Sequence, residues 1–300
     1  MTLPRIGVFD SGVGGLTVLR AMAEQLPAHY SYFGDTARLP YGTKSADTVA
    51  RYAIGATRFL ETQNIDLLVI ACNSATALAL PQIKQAAVVP VIGVVEPGAA
   101  MAAAVSQSRA AIVIATEATV GSHAYRDALR QLGLQAYEKA CPLFVPLVEE
   151  GWIDHPVTEQ VARIYLGEAM AESSDEADVL VLACTHYPLI APLLRRITPD
   201  RFKIVDSAES TARAVRELLQ SNHLTSVILS EATAGSAVEE PALSLPKGPP
   251  PARQTRYSAS QSDHRTFRFF VTDSTDKFKR LATGFLGRRV DHVEHVDLGG

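Results

Sequence analysis

The sequence predicts an α/β fold made of two similar, pseudo-symmetric domains with mainly parallel sheets and a site in the cleft between them. Three observations carry this expectation. Short apolar, β-branched runs alternate with helix-length amphipathic stretches, which is the pattern of βαβ units. The segment Asp66-Leu-Leu-Val-Ile-Ala-Cys72-Asn-Ser recurs as Asp178-Val-Leu-Val-Leu-Ala-Cys184-Thr-His. Each half also opens on a strand and a small-residue turn, Ile6-Gly-Val-Phe-Asp10-Ser-Gly in one and Ile112-Val-Ile-Ala-Thr116-Glu-Ala-Thr in the other. Buried parallel strands resemble one another in any protein. The match in Asp, Leu, Val, Ala and Cys, with a conservative Ile/Leu exchange, favours a duplication over that plain resemblance.

In chain order, strands are expected at Arg5–Phe9, Tyr30–Phe33, Leu67–Ala71, Val91–Val94, Ala111–Ala115, Val179–Ala183, Lys203–Val205 and Phe267–Val271. Each is short and rich in β-branched or aromatic side chains, as a sheet buried on both faces requires. Helical periodicity fills Leu16–Gln25, Ser45–Gln63, Thr158–Glu172 and Ala208–Gln220. Residues Glu231–His264 break the pattern with Pro241, Pro246 and Pro249-Pro-Pro251 followed by Ser/Gln-rich sequence, and read as a flexible Pro-rich insertion. The strand and helix after it are read as returning to the first domain. The expected division is therefore 1–97 plus 207–300 for the domain that carries Cys72, and 98–206 for the one that carries Cys184.

A chain of 300 residues has ample apolar content for two ordinary cores. Its net charge of −4 is mixed in sign, with no Lys/Arg stripe to neutralise phosphates, so nucleic acid is not an expected partner. The N-terminus lacks the pattern of a secretory signal, and no apolar run is long enough to span a bilayer; a cytoplasmic protein is expected. Three cysteines without a CxxC fit neither a disulfide framework nor a structural zinc site, so free thiols are expected.

Cys72 and Cys184 stand where an apolar strand gives way to polar residues. Free cysteines are most often small buried hydrophobes. At a strand's carboxyl end, however, a thiol faces backbone N–H groups and helix N-termini, which favour the thiolate. Two such thiols suggest paired chemistry, whereas Cys141, beside Pro142 and without a counterpart, reads as structural. His186 can orient or deprotonate Cys184, act as an acid, or be a hydrogen-bonded loop residue. A cysteine hydrolase needs one Cys and one His, and leaves the second cysteine strand unexplained.

Asp10-Ser-Gly-Val-Gly-Gly-Leu-Thr17 follows a strand and opens a helix, as a dinucleotide loop does, and Asp35 lies at the spacing of a ribose-binding acid. The glycine order fails at Thr17, where close helix packing asks for glycine. A turn that offers N–H groups and the Asp10 carboxylate to a small zwitterion fits the same residues. Asp35-Thr-Ala-Arg-Leu-Pro40-Tyr-Gly42 reads as a turn-rich connection, and Glu149 as a charge at a helix end.

Taken as an ordered set, Phe9-Asp-Ser-Gly-Val-Gly-Gly, Asp35-Thr-Ala-Arg-Leu-Pro-Tyr-Gly, Ala71-Cys-Asn-Ser-Ala-Thr, Gly93-Val-Val-Glu-Pro-Gly and Ala183-Cys-Thr-His-Tyr-Pro-Leu resemble the glutamate racemases of the cofactor-independent aspartate/glutamate racemase superfamily. The resemblance runs from Ile6 to about Leu219 and resumes near Phe267. It implies interconversion of L- and D-glutamate, which supplies D-glutamate for peptidoglycan, with no pyridoxal phosphate and no metal. It further implies that Cys72 takes the α-proton of D-glutamate with help from Asp10, and Cys184 that of L-glutamate with help from His186 and Glu149. Substrate contacts are implied for Asp10, Ser11, Tyr41, Gly42, Asn73, Ser74, Thr185 and His186. Glutamate is the implied ligand; a homodimer, a cell-wall-precursor activator and gyrase are further partners it raises, and nucleic acid and membrane are not among them. Position 74 is Ser where the family usually has Thr, which keeps the hydroxyl, and the Pro-rich insertion has no family counterpart. The alternatives are an aspartate racemase of the same superfamily and a gyrase-binding inhibitor with little racemase activity.

The chemistry gives such a site a reason for two thiols. Racemisation needs a base on one face of the α-carbon and an acid on the other, with the roles exchanged in the reverse direction. Both protonation states of cysteine are accessible near neutral pH. None of the lysines falls at a strand-end motif, which disfavours a Schiff-base cofactor.

Overall fold

The computed structural model describes residues 3–173, 176–232 and 265–298. The Pro-rich insertion expected at 231–264 lies outside the described residues except for its first two, which end a helix.

The chain runs β1 (Arg5–Asp10), α1 (Leu16–Gln25), β2 (His29–Gly34), α2 (Ala46–Glu61), β3 (Leu67–Ile70), α3 (Asn73–Ala86), β4 (Val91–Gly93) and α4 (Val95–Val105). It continues through β5 (Ala110–Ala115), α5 (Glu117–Ser122), α6 (Ala124–Gln131), β6 (Gln135–Ala140), α7 (Phe144–Glu149) and α8 (Pro156–Glu172). Then follow β7 (Val179–Ala183), α9 (Ala191–Ile197), β8 (Lys203–Asp206), α10 (Ser207–Ala232), β9 (Phe267–Val271), α11 (Thr275–Leu286) and β10 (Glu294–His295).

Among the described residues these strands form two sheets, ordered β10-β9-β2-β1-β3-β4 and β6-β5-β7-β8, and every pairing is parallel. The run β2-β1-β3-β4 of the first sheet and β6-β5-β7-β8 of the second share one order, so the duplicated segments occupy equivalent places. In each, the opening strand pairs with the cysteine strand: Phe9 is opposite Ile70, and Ala115 is opposite Ala183. This puts Asp10 beside the exit to Cys72, and Thr116 beside the exit to Cys184.

Period-two alternation decides what each strand buries. Ile6, Val8, Leu67 and Val69 join Ile112, Ile114, Leu180 and Leu182 in one apolar cluster shared by both sheets. Phe9, Leu68 and Ile70 face a second cluster with α2 and α3, and Val113, Val179 and Val181 face a third with residues of α4 and α6. The repeated aspartates that precede the cysteine strands are anchors. Asp66 accepts from the backbone and guanidinium of Arg5, and Asp178 accepts from the hydroxyls of Ser106 and Ser108 and the N–H of Gln107.

Two strands escape the sequence pattern. β6 reads Gln-Ala-Tyr-Glu-Lys-Ala, half-buried at a sheet edge where one face meets water, and β10 is two residues long. Helix α10 extends the expected Ala208–Gln220 to Ser207–Ala232. No helix among the described residues is long and apolar enough to cross a membrane.

Candidate active site

Cys72 caps the N-terminus of α3, its Sγ accepting the N–H of Ala75 at 3.4 Å and donating to Ser11 Oγ at 3.4 Å. Asp10, 1 % exposed, accepts the N–H of Gly12 at 2.9 Å through Oδ2, while Oδ1 has no hydrogen-bond partner among the described residues. The helix-end N–H was expected to favour a thiolate at Cys72. Burial outweighs it, and with the Asp10 carboxylate close by, the thiol is pushed up to about 12 despite the donors from Ser11 and Ala75. Cys72 therefore rests as a neutral thiol. Burial also raises the Asp10 carboxyl, opposed by the N–H groups of Gly15, Gly12 and Ser11 and by the charge of His186. Asp10 thus lies within electrostatic range of Cys72 from its own half and of His186 from the other.

The second thiol has different company. Cys184 Sγ lies 3.9 Å from His186 Nδ1, and His186 Nε2 lies 3.1 Å from Glu149 Oε1 at the end of α7. Burial disfavours the imidazolium, yet the partners Cys184 and Glu149 overcome it and raise His186 above its ordinary range. The same hydrogen bond to His186 is the main reason Glu149 is lowered, against the opposing effect of burial. Glu149, read from residues alone as a helix-end charge, is thus the third member of a Cys184–His186–Glu149 chain. The His186 ring stands edge-on to Phe285 of α11, 5.1 Å between centroids, so the first sheet's helices brace it.

The glycine turn explains why the dinucleotide reading fails. A Cβ on Gly14 would lie 2.2 Å from Thr185 Oγ1 and 2.6 Å from His186 Nδ1, so the turn is shaped to receive the opposite half's loop. Thr17, the residue that breaks the nucleotide pattern, donates from Oγ1 to the Thr185 carbonyl at 3.0 Å. Asp35 is equally spoken for: it is fully buried and accepts from Tyr41 OH at 2.5 Å, Arg38 Nε at 2.9 Å and Thr272 Oγ1 at 2.9 Å. Tyr41, expected at the substrate, therefore gives its hydroxyl to Asp35, while a Cβ on Gly42 would meet Thr116 at 3.2 Å.

Ser74 lies 2.9 Å from Thr116 Oγ1 and 3.4 Å from Thr119 Oγ1, a cluster of hydroxyls joining α3 to the start of α5. Thr116 and Thr119 were not singled out as site residues. The internal repeat carried the signal, since it aligns Thr116 with Asp10. Asn73 turns its side chain away from the thiol, toward Tyr125 and Ser207. Cys141 is buried with its Sγ toward the Lys139 carbonyl, as a structural cysteine should be. Among the described residues, no three His, Cys, Asp or Glu side chains converge as metal ligands.

The Asp/Glu/Hydantoin racemase family model matches residues 6–215. The chain belongs to this family. A family member named glutamate racemase, from Koribacter versatilis, is 60% identical over 298 residues, covering 99% of this chain and 98% of the relative. Glutamate racemase of Thermus thermophilus, solved with β-chloro-D-alanine, is 38% identical with a TM-score of 0.76, covering 99% and 98% of the two chains. That of Francisella tularensis, solved with D-glutamate, is 31% identical with a TM-score of 0.78, covering 98% of each. The family's two-domain α/β fold is the one the repeated cysteine strands predicted.

Proposed function

We propose that the chain interconverts L- and D-glutamate, without a cofactor, by passing an α-proton between two thiols, and so supplies D-glutamate for peptidoglycan. The observation that carries this reading is the placement of Cys72 and Cys184 at equivalent strand ends of two like-ordered sheets, with Asp10 in range of both Cys72 and His186.

With D-glutamate, Cys72 acts as base: the Cα–H bond breaks, an S–H bond forms, and Cys184 delivers its proton to the opposite face to give L-glutamate. The reverse reaction exchanges the roles. Cys72 must first lose its own proton, and Asp10, whose burial raises its proton affinity, is its acceptor. The substrate ammonium beside these groups lowers the cost of the thiolate. On the other side, the His186 imidazolium, steadied by Glu149, does the same for Cys184. Ser11, Gly42, Ser74 and Thr185 line the ligand, Tyr41 and Asn73 contribute through their backbone because their side chains are engaged elsewhere, and fixed dipoles in a water-poor site stabilise the carbanion. We take residues 1–97 plus 207–300 and 98–206 as the two domains, a division that the sheet membership of β9 and β10 supports.

The test is the circular dichroism of D-glutamate incubated with purified protein, with no cofactor added. Cys72→Ser and Cys184→Ser should each slow racemisation by roughly 10²–10⁴-fold. Each should still exchange the α-proton of one enantiomer with D₂O. Near-wild-type racemisation by either variant would sink the two-thiol assignment. Faster turnover of aspartate than glutamate would move the substrate to the aspartate racemases, and inactive protein that inhibits gyrase would support a binding role instead.

A further inference from the structure

Asn73, the residue after Cys72, is held by two side chains from beyond its own sheet. Its Oδ1 accepts from Tyr125 OH at 2.8 Å, and its Nδ2 donates to Ser207 Oγ at 3.2 Å. Tyr125 belongs to α6, which packs on the second sheet, and Ser207 opens α10, the helix by which the chain leaves that sheet. All three are buried, Tyr125 and Ser207 completely. Helix α4 makes room for the contact: a Cβ on Gly98 would lie 3.0 Å from the Tyr125 hydroxyl. The fold thus admits a bulky phenol to the crossover between the halves and spends its one polar atom on the residue beside a candidate base.

An amide can flip, and a flipped Asn73 would present its NH₂ to the Tyr125 hydroxyl and its oxygen to Ser207. Both partners are hydroxyls that can donate or accept, so the bridge through Asn73 stands in either orientation. Burial raises the Tyr125 phenol well above its usual range, with the charges of Cys184 and Asp206 adding to the effect, so it keeps the proton that the contact with Asn73 uses. The same influence places Tyr125 within electrostatic range of Cys184, the thiol of its own half, while its hydroxyl reaches Asn73 of the other.

We propose that Tyr125 is a positioning residue for the reaction: by fixing Asn73 it holds the first turn of α3, and with it Cys72, in register with the half that carries Cys184. The Tyr125 hydroxyl bonds to Asn73 and not, among the described residues, to either thiol. Its effect runs through Asn73, and this distinguishes it from a residue that only fills the core. The inference rests on the proposed racemisation, so its test has an arm that needs no turnover.

Tyr125→Phe keeps the ring and removes the hydroxyl. In wild-type protein it should lower kcat for glutamate about tenfold with KM changed less than threefold. In an Asn73→Ala background the same change should have less than a twofold effect, because the contact it removes is already gone. Equal losses in both backgrounds, or no loss in either, would overturn the proposal. The second arm is the rate of alkylation of each cysteine by iodoacetamide, followed by peptide mass spectrometry. Tyr125→Phe should change the Cys72 rate at least threefold relative to Cys184. Rates that stay equal to wild type, or that rise together as in general loosening, would overturn the proposal even if Asn73→Ala fails to fold. Wild-type protein that does not racemise glutamate refutes the parent reading, while the alkylation arm still decides the role of Tyr125.

Discussion

Gly14→Ala tests whether the two halves meet during turnover as they do here. The added Cβ would lie 2.2 Å from Thr185 Oγ1 and 2.6 Å from Cε1 and Nδ1 of His186, where ordinary contact begins at 3.4 Å. Thr185 can relieve its share by rotating a hydroxyl. His186 cannot rotate away, since it is held at 3.1 Å by Glu149 and stands against Phe285. The imidazole, or the whole turn, must retreat by 3.4 minus 2.6, about 0.8 Å. Misplacing a catalytic group by about 1 Å can lower the rate by roughly 10²-fold. Overpacking adds about 1–3 kcal/mol of destabilisation. The expected result is a kcat reduced about 100-fold in the circular dichroism assay, with a melting temperature lowered by several degrees and native far-UV spectra. A variant with kcat within twofold of wild type would show that the turn and the Thr185–His186 loop are not in contact when the reaction occurs.

Two further outcomes follow from the same geometry. Asp35→Asn leaves Arg38 without its buried anion and sets an NH₂ among the donors Tyr41 and Thr272; the urea midpoint should report a loss of about 3–5 kcal/mol. Glu149→Gln removes the carboxylate partner of His186. Because folding raises His186, its contribution to stability is complete below the ordinary histidine value of about 6.5 and is lost as pH rises toward the folded value. Folding lowers Glu149, so its contribution is present above the ordinary carboxylate range and is lost in acid. Melting curves should therefore show the widest gap between wild type and Glu149→Gln near pH 5–6.5, narrowing on both sides; a gap independent of pH would contradict the ion pair.

Much of the architecture was legible because a parallel sheet covered on both faces leaves a plain trace of apolar runs that end in polar turns. The eight expected strands all form, with bounds displaced by a residue or so. β6 was hidden because an edge strand with one wet face carries Glu138 and Lys139 in its run. At the site, Asp10, Cys72, Cys184 and His186 were visible from their positions at strand ends. Tyr125, Ser207 and Thr119 were not, since a lone tyrosine or hydroxyl on a helix says nothing of what it meets across a fold.

The sequence by itself determined that there are two like halves, that each ends a buried strand in a thiol, and that the residues after the thiols differ. Those are properties of local pattern and of repetition. Tertiary structure decided the environments. Burial, with the Asp10 carboxylate close by, makes Cys72 a resting thiol, reversing what a helix N-terminus alone implies. Glu149, distant in sequence, completes the chain to Cys184 through His186. Burial and charge depend on which groups the packed halves exclude from water and bring within a few ångströms, and no spacing along the chain encodes that.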